Sequence, residues 1–187
     1  SITCPVSTMK FLVFTDVHDD PLVIKDLLAR AKAPDIEFVV CLGDMSLFGR
    51  GLRYVLKQFH ELGKKFYVLP GNHEEHGGVF EEMVKEYSNC INLHMKVVKL
   101  GGYVFMGYGT GGFEFHDEEF RKISRQWYGK YKNEKTILLT HQPPYGTKLD
   151  LLERFGHVGN KGFTKFIKRM KPKLALSGHI HETFGTS

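Results

Sequence analysis

The sequence predicts an α/β sandwich, and three observations carry that prediction. Short apolar runs alternate with helix-length amphipathic stretches from Met9 onwards; most junctions hold Gly, Pro, Asn or Asp; and midway the pattern changes to two alternating apolar runs around Gly101 and Gly102. The first two describe strand and helix units that build a parallel sheet. The third is a β-hairpin signature, so antiparallel strands enter in the second half and require a mixed sheet or a second sheet.

The elements follow in order. "KFLVFTD" reads as a first strand, and "PLVIKDLLARAK" as a helix with Pro21 in its first turn, where a missing N–H costs nothing. "IEFVVCLGD" is a second strand; "LRYVLKQFHELG" is a helix stopped by Gly63; "KFYVLPGN" is a third strand; and "VFEEMVKEYS" is the next helix. After the hairpin "KVVKLGGYVFMGYG" come the helix "DEEFRKISRQWYGKY", the strand "TILLT", the helix "KGFTKFIKRMK" and the strand "KLALS". Residues 1–8, "SITCPVST", show no pattern, and Met9 would make a natural start. They are expected to be a vector remnant or disordered extension, with residues 9–187 forming one domain.

A chain of 187 residues with 42% hydrophobic residues can bury one substantial core. The formal charge of +5 leans towards anionic, phosphate-bearing partners, although Lys and Arg are scattered as on any solvated face. Three cysteines at wide spacing, without a C-x-x-C pair or a signal peptide, fit a reducing compartment, and Cys41 in "FVVCL" reads as a small buried hydrophobe. No apolar run approaches the ~20 residues that span a bilayer. A cytoplasmic protein with no membrane partner is expected.

The strand ends hold the chemistry, because ligands of open α/β sheets gather beyond the carboxyl ends of the strands. Those ends read "TDVHDD", "LGDMS", "PGNHEE", "LTHQPP" and "SGHIHE". Asp16 and His18 are two apart and project to one side of an extended segment. Asp44 and Asn72 each follow a Gly, which removes bulk where the backbone turns close to a ligand. His141 precedes Pro143 and Pro144, which stiffen its loop, and His179 and His181 straddle one residue after the last strand. Each piece alone has an ordinary reading: a cap, a left-handed turn, a hydrogen-bonded or solvated imidazole. Together they place two Asp, one Asn and four His at strand ends, the ligand set of a two-metal centre.

In this order, Asp16-Val-His18, Gly43-Asp44, Gly71-Asn72-His73-Glu74, His141 and Gly178-His179-Ile-His181 resemble the signature of the calcineurin-like metallophosphoesterases. The resemblance implies a four-layer α-β-β-α sandwich with two mixed β-sheets. It implies that Asp16, His18, Asp44 and His181 hold one metal, that Asp44, Asn72, His141 and His179 hold the other, and that Asp44 bridges them. "THQPPYGTKLD" and "HVGNKGFTKFIKRMKPKLALSGHIHETFG" are further similar to the Icc-related phosphoesterases and their adult-brain 239 relatives, which tilts the expected substrate towards phosphodiesters, cyclic nucleotides among them. Protein serine/threonine phosphatases are a poorer likeness, since Pro70 stands where they carry Arg. Relatives usually continue past the last histidine pair into further strands with an Asn-Pro-Gly segment, whereas this chain stops at Ser187; it is either truncated or ends its sheet differently.

Two metals about 3.5 to 4 Å apart acidify a shared water and neutralise phosphate oxygens, so attack by a metal-bridging hydroxide is the expected reaction. Two divalent ions bring roughly four positive charges against about three from two aspartates and one hydroxide, leaving a slightly cationic centre that attracts phosphate. Nitrogen and oxygen ligands suit Mn, Fe, Zn, Co or Ni. His73, beside Asn72, is the expected general acid or transition-state stabiliser, the role the family gives its equivalent. For substrate contacts His157, His116 and Arg50 are candidates, with Phe113 and Phe115 as a wall for a base or aryl group. His60, His76 and His94 read as structural or exposed. A small phosphate ester is the expected partner; a phosphomonoesterase, a nucleotide pyrophosphatase and a non-catalytic scaffold are the competing readings. There is no strong basic and aromatic track for nucleic acid, and the sequence leaves the oligomeric state open.

Overall fold

A computed structural model describes residues 9–47, 49–74, 79–111 and 114–178. The elements run β1 (Phe11–Phe14), α1 (Pro21–Ala31), β2 (Phe38–Cys41), α2 (Leu52–Leu62), β3 (Lys65–Val68), α3 (Phe80–Lys85), β4 (Cys90–Asn92), β5 (Lys96–Leu100), β6 (Tyr103–Tyr108), α4 (Glu118–Tyr131), β7 (Thr136–Thr140), a 3-10 turn (Lys148–Asp150), β8 (Leu151–Leu152), β9 (Gly156–His157), α5 (Lys161–Met170) and β10 (Leu174–Ser177).

Side-chain alternation along the strands sorts the apolar residues into three cores. In β2, Val39 and Cys41 face the helices, joining Phe14, Phe59 and Phe66 in a core that also takes Ile24 of α1 and Val84 of α3. Phe38, Val40 and Leu42 turn the other way and meet Phe105, Ile137 and Leu139. A third core joins Val104, Met106 and Leu138 to Phe120 and Trp127 of α4 and Phe163 and Phe166 of α5. Three cores between four layers make an α-β-β-α sandwich. Fully burying a side chain such as Phe59 or Phe105 contributes about 1.5–3 kcal/mol, which is why the strands hold register without long runs.

The first sheet has the order β1-β2-β3-β4 and the second β10-β7-β6-β5. The family resemblance implies two mixed sheets. Among the described residues every pairing in the first sheet is parallel, and only the second is mixed, through the β5–β6 hairpin. The physical reason is that each first-sheet strand returns through a helix, whereas Gly101 and Gly102, with φ of 57° and 81°, close the hairpin directly.

Helix ends follow local chemistry. Asp20 caps α1 by accepting from the Leu22 and Val23 N–H groups, with Pro21 next. Asp117 and Asn160 cap α4 and α5 in the same way. The helix expected over 79–88 ends at Lys85, because Asn89 anchors the chain to α2 and β3 by donating to the carbonyls of Phe59 and Lys64, which turns it into the unpredicted strand β4. Among the described residues no helix is long and apolar enough to cross a membrane. Residues 1–8, His76, Phe113, His179 and His181 lie outside the described residues.

Candidate metal centre

The loops after β1, β2, β3 and β7 converge on Asp44. The first two are laced together by backbone bonds: Asp16 N–H to the Gly43 carbonyl (3.0 Å), His18 N–H to the Asp44 carbonyl (3.1 Å) and Asp19 N–H to the Met45 carbonyl (2.7 Å). That lacing holds Asp16, His18 and Asp44 at φ of 56°, 46° and 51°, a left-handed conformation uncommon for residues with a Cβ, though least so for Asp and His. Gly71 admits the third loop: a Cβ there would stand 2.0 Å from Asp44 Oδ1, the oxygen that accepts the His73 N–H at 2.9 Å.

The side chains grade from a buried floor to an open rim. Asp44 and His141 are buried, their side chains 2% and 0% exposed, while His18 and His73 keep 24% and 21%. Asp44 Oδ2 faces His141 Nε2 at 3.5 Å, His18 Nε2 at 3.8 Å and His73 Nε2 at 3.9 Å. The His141 Nδ1–H donates to the Leu42 carbonyl at 3.0 Å, which fixes the ring so that Nε2 lies 3.0 Å from Asn72 Oδ1 and beside Asp44. Two sets of ligand atoms, His18-Asp44-His73 and Asp16-Asp44-His141, each lie within 4.8 Å of one another and share Asp44.

Electrostatics follow the packing. Burial alone would raise the Asp44 carboxyl; the His141 bond and charge, with the His73 N–H and ring, outweigh it and hold the group far below the usual carboxylate range. Burial, then Asp44's charge, pushes Glu74 up to about 9. The thiols of Cys41 and Cys90 are both raised by burial, Cys90 to about 12, so neither competes as a thiolate. The donor set is therefore oxygen and imidazole nitrogen, which fits divalent cations of the Mn, Fe, Zn, Co and Ni group.

Of the residues singled out in the sequence, the structure brings together Asp16, His18, Asp44, Asn72, His73 and His141. Gly178 arrives beside them: its N–H donates to the His141 carbonyl at 2.9 Å, and a Cβ there would meet Thr15 Oγ1 at 2.1 Å and Asp16 Oδ2 at 2.8 Å. Arg50 is exposed on the turn after β2, and His116 is exposed on a cleft between α4 and α5. His157 bonds Asp150 through Nδ1 at 2.7 Å, with its ring 5.6 Å from that of Tyr145.

Sequence reasoning left two contributors unassigned. Thr15 donates its hydroxyl to Asp16 Oδ2 at 2.5 Å and so aims that carboxylate. Glu74, buried, accepts the Met45 N–H at 2.5 Å and ties the third loop to the second. Their signal was adjacency: each lies next to a candidate residue within a strand-end motif.

The fold and the sequence both have known relatives. A solved structure titled TT1561 of Thermus thermophilus matches with a TM-score of 0.74 at 14% identity, over 91% of this chain and 81% of that one. Phosphopantetheinyl hydrolase from Mycobacterium tuberculosis matches with a TM-score of 0.58 at 15% identity, over 92% and 83%. Both likenesses speak for the fold. The UPF0046 protein K07C11.7 of Caenorhabditis elegans is 25% identical over 95% of this chain, which spans 65% of that protein's length. The family model for calcineurin-like phosphoesterases matches residues 9–183, and this chain belongs to that family.

Proposed function

We propose that the chain is a metal-dependent phosphoric ester hydrolase that cleaves phosphodiesters at a two-metal centre built around Asp44. The observation that carries this reading is the sharing of one buried carboxylate between two ligand sets. The structure groups His18 with His73 and Asp16 with His141 around Asp44; following the family resemblance, Asp16, His18 and Asp44 would hold one ion, and Asp44, Asn72 and His141 the other, with His179 and His181 expected to complete them. When bound, the ions supply Lewis acidity, drawing charge from phosphoryl oxygens and acidifying water.

The chain's own groups do the rest. Asp44 stays ionised, the Leu42 carbonyl orients the His141 ring, and Thr15 orients Asp16. His73, on the exposed rim, can face a leaving group, where a proton on its ring would neutralise the departing alkoxide. The preference for diesters, cyclic nucleotides among them, rests on the likeness of the 140–150 and 157–185 segments to the Icc-related branch.

Initial rates on bis(p-nitrophenyl) phosphate and p-nitrophenyl phosphate, after chelation and again with Mn restored, test this. The reading predicts metal-dependent turnover that favours the diester. A preference for the monoester would assign a phosphatase, and no metal-dependent turnover of either would favour a scaffold.

A further inference from the structure

The positive balance of the chain is concentrated in one layer. Segments 117–135 and 161–173 carry 12 Lys and Arg against 4 Asp and Glu, leaving 14 against 17 elsewhere. Within that layer α4 and α5 enclose a cleft of about 280 Å³, with Arg121 and Arg125 on one wall and Lys165 and Arg169 on the other. Each wall therefore repeats its cation after one helical turn, a spacing at which like charges repel. The acids at the cleft are already engaged: Asp117 caps α4 and accepts the Tyr108 hydroxyl at 2.7 Å, and Glu118 pairs with Arg121 at 2.8 Å. Arg169 lies over the Tyr128 ring at 3.8 Å, and among the described residues no carboxylate pairs with Arg125, Lys165 or Arg169.

We propose that the cleft between α4 and α5 binds an oligophosphate, held chiefly by Arg125 and Lys165. Successive cations on each wall are about 6 Å apart along the helix axis, so the walls can engage more than one phosphate group of the same ligand. The volume is slightly below the usual range of about 300–1,000 Å³ for small-molecule pockets, which selects a compact anion. The cleft uses none of the residues around Asp44, so the inference stands independently of the hydrolase reading.

Calorimetric titration with inorganic triphosphate tests it, using Asp44→Asn as the background to remove phosphate binding at the metal centre. Binding should persist in that background. Adding Arg125→Ala and Lys165→Ala, both exposed, should weaken it about tenfold or more, whereas Lys25→Ala with Lys57→Ala, equally exposed and equal in charge, should change it less than about twofold. No binding in the Asp44→Asn background, or equal losses from the two pairs, would overturn the proposal. Tighter binding of single-stranded RNA with the same dependence on Arg125 and Lys165 would overturn the assignment to a small ligand.

Discussion

Two buried aspartates, Asp44 and Asp150, share burial and a lowered pKa and differ in their partners. Asp150 accepts from the Gly146, Thr147 and Gly159 N–H groups at 2.9–3.0 Å and from His157 at 2.7 Å. These bonds offset the rise that burial alone would cause. Asp44 has one backbone donor, and its other oxygen faces three imidazoles at 3.5–3.9 Å. A carboxylate saturated by short backbone bonds holds a loop; one surrounded at long range by ligand-type atoms has room for a cation. Burial and a depressed pKa alone do not distinguish the two roles.

The largest effect should separate them directly. Asp44→Asn should lower turnover by about 10³-fold or more and strip metal from the protein while leaving it folded. Asp150→Ala should leave metal content intact and cost about 3–5 kcal/mol in denaturant unfolding, since it orphans buried N–H groups and His157. If Asp150→Ala released metal as completely as Asp44→Asn, the distinction would fail.

His73→Gln sharpens the comparison at the rim. If the ring acts on the leaving group as proposed, turnover should fall about 10²- to 10³-fold with metal content unchanged. Lost metal would instead place His73 in the ligand set, as its distance to Asp44 permits.

The smallest effect separates groups by pH. Burial lowers His94 to about 4, and its Nδ1 accepts the Gly109 N–H at 2.9 Å, a bond that protonation removes. The unfolded chain takes up this proton near pH 6.5, so stability should decline as pH falls from about 6.5 to 4, by at most about 3 kcal/mol. His94→Gln should flatten that part of the profile. Asp150 acts lower: its folded pKa is depressed, so its contribution is full above the unfolded value of about 3.8 and disappears as pH falls through the folded one.

What was legible in the sequence follows from the range of the forces. Strand-end ligands and helix starts are local, so Asp16, Asp44, Asn72 and Pro21 could be read from neighbouring residues. β4 has three residues and depends on Asn89 reaching back to α2, a contact that no periodicity reveals. Asp150 reads as an ordinary loop acid because its donors arrive only when the chain closes from 146 to 159. His157 was visible as a candidate, but its bond to Asp150 was not.

The central claim is that Asp44 is shared between two metal ions. Counting bound metal by mass spectrometry after Mn loading and desalting, in the native chain and in Asp44→Asn, tests it most directly. The account predicts about two ions per native chain and fewer than one in the variant. Equal metal content in both, or none in the native chain, would contradict it.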